Sequence, residues 1–158
     1  MQKVTTCLWF NKEAEQAAKY YVSLFKNSKV TQVTRNSIDV PGGKKGSVLV
    51  VDFKLDGEEF IALNGGVDFP FTEAISLSVS CKTQAEIDRM WKKLSKGGKE
   101  VQCGWLQDKY GLSWQIVPVE LPKMLRDKNQ KKAQAVMQAM LKMVKLDIAA
   151  LKQAYRQA

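Results

Sequence analysis

The chain has 158 residues, 45% hydrophobic and 26% charged, with 10 Gly and 4 Pro, a balance that supports a buried core and excludes disordered and collagen-like classes. It contains no histidine, so Ser-His-Asp triads, Cys-His dyads, HExxH zinc sites and the two-His-one-carboxylate iron site are excluded together. Net charge is +9, and of the 25 basic and 16 acidic groups 8 and 2 lie beyond residue 125, so most of the excess sits in the C-terminal tail.

The run Val4 to Phe10 is apolar and β-prone and stops at Asn11, a residue suited to cap a helix. Ala14, Ala17, Ala18, Tyr21, Leu24 and Phe25 recur at three- and four-residue spacing, which predicts a helix ending near Asn27-Ser28. Val30 to Asn36 reads as a strand, and Pro41-Gly42-Gly43-Lys44-Lys45-Gly46 as a flexible polar loop. Ser47 to Leu55 and Glu58 to Leu63 flank Asp56-Gly57, a dipeptide that favours a type I′ hairpin turn because both positions need positive φ. Asn64-Gly65-Gly66 closes the first half, and Val67 to Glu73 is a loop with Phe69 and Phe71 around Pro70.

The second half starts again with a strand, Ile75 to Cys81, a capping Thr83 and a helical stripe of Ile87, Met90, Trp91 and Leu94 ended by Gly97-Gly98. Strands follow near Glu100 to Gln107 and Leu112 to Val117, joined by the turn Asp108 to Gly111. Beyond Pro118, Glu120 to Leu125 is a connector. Ala133, Val136, Met137, Met140, Leu141 and Val144 make one amphipathic helix, and Asp147 caps a last one carrying Ile148, Leu151 and Tyr155.

A shift of 70 residues lays Lys12 on Lys82, Tyr21 on Trp91 and Leu24 on Leu94, so the two halves repeat β-α-β-β-β. The fold class is α+β. Two βαβββ modules, about 1–66 and 74–118, form a paired domain over 1–118 with a curved mixed sheet, and 119–158 is a C-terminal helical extension. The expected site is a cavity lined by the inner sheet faces.

Cys7, Cys81 and Cys103 are odd in number and widely spaced, which fits free thiols in a reducing cytosol better than disulfides or a CxxC metal site. No signal-peptide stretch or membrane span is read, so the expectation is a cytoplasmic protein with no membrane partner. In the tail, Lys131-Lys132 is the one close basic pair and Tyr155 the one aromatic, so a solvated helix face explains the charge better than nucleic-acid binding.

Several segments together resemble one family. They are Leu8-Trp9-Phe10 followed by Ala14-Glu15-Gln16-Ala17-Ala18 and Tyr21-Val22-Ser23-Leu24-Phe25; Ala62-Leu63-Asn64-Gly65-Gly66; Gln102-Cys103-Gly104-Trp105-Leu106 with Asp108-Lys109-Tyr110-Gly111; and Ser113-Trp114-Gln115-Ile116-Val117-Pro118. The chain is similar to the PhnB-like family, also labelled 3-demethylubiquinone-9 3-methyltransferase, of the vicinal oxygen chelate superfamily with its glyoxalase/bleomycin-resistance fold. The tail segment Val136 to Leu141 looks like that family's C-terminal extension. The resemblance implies paired βαβββ modules, usually a homodimer, and cup-shaped small-molecule sites.

Catalytic members of the superfamily hold a divalent metal with His, Gln or Glu on the first, fourth, fifth and eighth strands. By that resemblance the positions here fall on Cys7 or Trp9, Leu63 or Asn64, Ala74 to Ser76, and Gln115. Gln115 alone is a weak metal candidate, so no metal or other cofactor is expected. A methyltransferase of the common type needs a glycine-rich strand-to-helix turn, and neither glycine cluster has that spacing.

Trp9, Trp105 and Trp114 are candidate aromatic clamps, with Gln102, Cys103, Gln115 and, at the rim, Asn64 as polar contacts. For each Trp the competing role is core filling. Cys103 has no histidine to activate it and reads as structural. Catalytic residues stay unassigned. The favoured reading is a metal-free small-molecule-binding protein. The alternatives are an enzyme of the same fold, metal-assisted through Gln115 or cofactor-free, and an interaction module using the basic tail.

Overall fold

A computed structural model describes residues 2–158. Its chain runs β1 (Thr6–Phe10), α1 (Ala14–Val22), β2 (Lys29–Arg35), β3 (Val48–Leu55), β4 (Glu58–Asn64), β5 (Ser76–Cys81), α2 (Gln84–Ser95), β6 (Lys99–Glu100), β7 (Trp105–Gln107), β8 (Ser113–Pro118), α3 (Leu121–Leu125), α4 (Gln130–Leu141) and α5 (Ile148–Gln157). The strands form two four-stranded sheets with equivalent orders, β1-β4-β3-β2 and β5-β8-β7-β6. In each the first and last strands pair parallel and the rest antiparallel, so the expected repeat is present. The chain divides into two units, up to Pro70 and from Phe71 onward.

In the first unit, α1 packs its Ala14, Ala17, Ala18 and Tyr21 face on Val51, Phe53 and Ala62 of the sheet, and all of these are buried. The small alanines let helix and sheet approach closely, while Tyr21 stacks on Phe53 at 6.4 Å. Asp56 and Gly57 both have positive φ, as the hairpin requires. Asn11 does not cap α1. The cap position is Glu13, without a side-chain bond, and the acceptor for Ala14 N–H is Asn64 Oδ1 at 2.8 Å, supplied from the end of β4. The helix also stops at Val22, short of Asn27, although Leu24 beyond it remains buried.

In the second unit, Thr83 accepts from Glu86 N–H and Glu86 accepts from Lys82 N–H, a T-x-x-E arrangement that fixes the start of α2. Ile87, Met90, Trp91 and Leu94 are buried, each worth about 1.5–3 kcal/mol in area terms, which outweighs anything helix propensity adds. The strand expected over Glu100 to Gln107 is broken in two. Cys103 and Gly104 have φ of 59° and 84°, and their N–H groups donate to Met143 and Val144 of the tail rather than to a ladder.

The tail packs on its own unit. Leu121, Val136, Leu146 and Leu151 form a buried cluster joined by Val117 of β8, Met140, Met143 and Tyr155. Residues 121–125, expected as a connector, are the short helix α3. Gln84 binds the start of α5 and the residues before it, donating to Leu146 O at 3.1 Å and accepting from Ile148 N–H at 2.8 Å. Two of the tail lysines are paired, Lys145 with Asp88 at 2.7 Å and Lys152 with Glu120 at 3.1 Å. Among the described residues no helix is long and apolar enough to cross a membrane.

Tyr155 of α5 donates to Asp127 and carries Lys132 Nζ over its ring at 4.7 Å. The Tyr155 hydrogen bond, aided by Asn129 N–H, holds the Asp127 carboxyl below its ordinary 3.8, and the same bond raises the Tyr155 phenol above 10.0. The pair's contribution is therefore complete between those ordinary values. It is lost as pH falls through the lowered Asp127 value or rises through the raised Tyr155 value. Urea unfolding of the parent and Tyr155→Phe should differ by a constant amount from about pH 5 to 9 and converge at both extremes.

Candidate functional site

The site is built where two glycine runs meet in the first unit. At the end of the parallel pair, Gly65 N–H donates to Phe10 O at 2.9 Å and Gly66 N–H to Asn11 O at 3.0 Å, so Asn64-Gly65-Gly66 continues the β1-β4 ladder past its last strand residue. The β2-β3 connection is ordered by its own bonds. Asn36 and Ser47 close its base, Val40 and Gly43 exchange backbone bonds, and Ser47 Oγ donates to Lys44 O. The loop lies directly on the end of β4: a Cβ on Gly42 would stand 2.7 Å from Gly65 O, and one on Gly66 would stand 2.2 Å from Gly42 Cα. Neither backbone can yield, and Gly66 also has φ of 73°. Both glycine runs are thus required for backbone contact.

Between this loop and the start of α1 is a cavity of about 620 Å³, whose wall includes Lys12, Glu15, Lys44, Ser47, Val48 and Asn64. Asn64 ties the wall together, accepting from Ala14 N–H and donating to Val48 O at 3.1 Å. Glu15 pairs with Lys19 at 2.7 Å, and that hydrogen bond holds its carboxyl below the ordinary value. Lys44 is 3.5 Å from Asp39.

Of the other expected site residues, Trp9 turns to its own loop. Its indole N–H donates to Val67 O at 2.8 Å, its ring lies 5.1 Å from that of Phe69, and it packs where Gly65 lacks a side chain. In the second unit, Trp114 is 1% exposed and its indole donates to Asp108 Oδ2 at 2.9 Å, so it fills the core. Asp108, at the turn between β7 and β8, is itself buried. Alternation along β8 sends Gln115 to the opposite face, where it is the register partner of Trp105 and donates to Ser76 Oγ at 2.9 Å. Gln102 is exposed and Cys103 half-buried at the break between β6 and β7. The three thiols are free, and burial, reinforced by Glu86, pushes Cys81 up to about 11, so this buried thiol stays protonated.

Lys12, Glu15, Lys44 and Ser47 were not among the expected site residues. The signal for them was present as two glycine clusters, each readable as an ordinary turn. What the sequence does not display is that the clusters touch.

The positions that the resemblance assigns to a metal do not offer the converging oxygen and nitrogen donors that a hard divalent ion takes. Asn64 Oδ1 is taken by Ala14 N–H, Trp9 offers only a donor, Cys7 is a free thiol that burial disfavours as thiolate, Leu63, Ala74 and Ile75 have no ligating side chain, Ser76 Oγ accepts from Gln115, and Gln115 is a neutral amide. Among the described residues no three Cys, Asp or Glu side chains gather as a metal site would need. The glycine clusters do not suit a nucleotide-type methyl donor either. Gly42-Gly43 joins two strands and Gly65-Gly66 leaves a strand for a loop, so neither opens a helix at the end of a strand.

The family model described as 3-demethylubiquinone-9 3-methyltransferase matches residues 2–117. The PhnB protein of Bacillus cereus, named for the same methyltransferase, is 39% identical, with 75% of this chain and 100% of that chain covered and a TM-score of 0.69. Protein PA1353 of Pseudomonas aeruginosa shares the fold at 16% identity, covering 75% and 98% of the two chains with a TM-score of 0.60. A glyoxylase/bleomycin resistance protein/dioxygenase domain of Frankia sp. EAN1pec is 15% identical over 73% and 96%, with a TM-score of 0.47. A comparison with curated proteins returns no match. With this family match over most of its length, the chain belongs to the 3-demethylubiquinone-9 3-methyltransferase, or PhnB-like, family. The tail beyond residue 117 lies outside the family match.

Proposed function

We propose that this chain is a metal-free, small-molecule-binding protein that acts by holding its ligand in the cavity of the first unit. The carrying observation is the backbone contact between Gly42 and Gly66, which closes one wall of a 620 Å³ space within the size range of small-molecule pockets. The donor set at the metal positions supports the metal-free part. The reading includes a homodimer and a cytoplasmic location; Met137 and Leu141, exposed one turn apart on α4, with Val144 beyond the helix end where the sequence pattern continues the helix, offer apolar surface to a second copy.

Two measurements test it. After exposure to Mn, Fe, Ni, Co and Zn ions and dialysis, elemental mass spectrometry should find far less than one metal per chain. Near-stoichiometric metal that is lost in Gln115→Ala would overturn the metal-free reading. In a fragment screen read by backbone amide shifts, binders should move Gly42, Gly43 and Gly66. Gly66→Ala should abolish those shifts and cost about 1–3 kcal/mol of stability, because the added methyl meets backbone at positive φ.

A further inference from the structure

We propose that the molecule bound in this cavity carries an oxyanion, a carboxylate or phosphate, held between the ammonium groups of Lys12 and Lys44. The inference rests on the cavity being the ligand site.

The polar groups around the cavity fall into two sets. Ser47, Asn64 and the N–H groups of Gly43 and Gly66 are already engaged within the protein. Ser47 Oγ donates to Lys44 O and accepts from Asn36, Asn64 spans α1 and β3, Gly43 N–H goes to Val40 O, and Gly66 N–H to Asn11 O. A neutral polar ligand would find few strong partners there. The lysines are different. Among the described residues no carboxylate lies within 4.0 Å of Lys12 Nζ. The Lys44 to Asp39 distance of 3.5 Å exceeds the roughly 2.7–2.9 Å of a charge-assisted hydrogen bond. Both partners are mostly exposed, so the pair is weak and exchangeable.

The remaining charge in the wall, Glu15, does not cancel this field. Lys19 holds it at 2.7 Å, so its charge is turned toward Lys19 and partly offset there. Its presence beside the lysines disfavours a ligand with several separated negative groups and favours one anionic head. Val40 and Val48 supply apolar surface for the body of the molecule. The chemistry is therefore a small monotopic acid with its head toward Lys12 and Lys44.

The test uses the full ¹⁵N-labelled chain and three probes with one body and different heads: benzoate, phenyl phosphate and benzyl alcohol. Either anion should shift Gly42, Gly43 and Gly66 saturably, at least about tenfold more tightly than benzyl alcohol. Lys12→Gln and Lys44→Gln should each weaken the anions severalfold and leave benzyl alcohol unchanged, while Lys131→Gln, in the tail, should change nothing. The tighter anion identifies the oxyanion. If benzyl alcohol binds as well as the anions and the lysine variants have no effect, the cavity stands as a ligand site and the oxyanion proposal falls. Equal weakening by Lys131→Gln would reduce the effect to general charge and overturn it too. If no probe moves these glycines, the proposal and the reading beneath it fall together.

Discussion

Asp108→Ala should lower the melting temperature by roughly 10 °C or more, because one buried carboxylate accepts three hydrogen bonds that nothing else can take up. Its Oδ1 receives Tyr110 N–H at 2.8 Å and Leu112 N–H at 3.1 Å, and its Oδ2 receives the Trp114 indole at 2.9 Å. Asp108 and Trp114 are 2% and 1% exposed, so water does not replace the lost acceptor without opening the core. Each buried donor left alone costs about 1–3 kcal/mol, and the sum approaches a large part of the roughly 5–15 kcal/mol that holds a domain together. Asp108→Asn should recover only part of the loss, since its amide faces one of the donors with another donor. Trp114→Phe in the alanine background should cost less than in the parent, because the orphaned indole is then gone. Thermal and urea unfolding read all three. An alanine variant within about 1 kcal/mol of the parent would mean the three bonds do not anchor this turn.

The same turn shows where sequence reasoning reaches its limit. Trp105 and Trp114 look alike as strand tryptophans, yet one lies half-buried beside Gln115 on one face of its sheet and the other is buried on the opposite face and locked to Asp108. That difference is one residue of register, which inverts which face a side chain takes. The elements that rest on local pattern were legible. Asp56-Gly57 encodes its turn, the alanine-rich stripe encodes α1, and Thr83 encodes the start of α2. The elements that rest on distant partners were not. Asn11 has the chemistry of a cap, but Asn64, 50 residues from Ala14, makes the bond. The strand expected through Cys103 breaks because its N–H is claimed by Met143 of the tail. The cavity depends on Gly42 meeting Gly66, a contact that neither cluster announces.

Ending the chain after Pro118 should produce a protein that loses stability sharply and exposes apolar surface, even though the family match itself ends at residue 117. The reason is intramolecular. The second unit of this chain is shaped to its tail: Gly104 has no side chain where Leu146 packs, at 3.0 Å from the position a Cβ would take, and Val117 faces the Leu121, Val136, Leu146 and Leu151 cluster. Truncation removes the four residues of that cluster, the two partners of Gln84 that lie in the tail, and the carbonyls that hold Cys103 and Gly104 in left-handed conformations. Without them the break between β6 and β7 has no fixed geometry, and a strand edge and an apolar face open together. In the intact chain Leu146→Ala isolates the packing part, and should cost about 2–5 kcal/mol at a fully buried leucine. A loss that does not vary with protein concentration would assign the tail to its own chain, whereas a loss that shrinks at high concentration would assign part of it to a subunit contact. A truncated protein as stable as the parent would show that the tail merely rests on the second unit without supporting it.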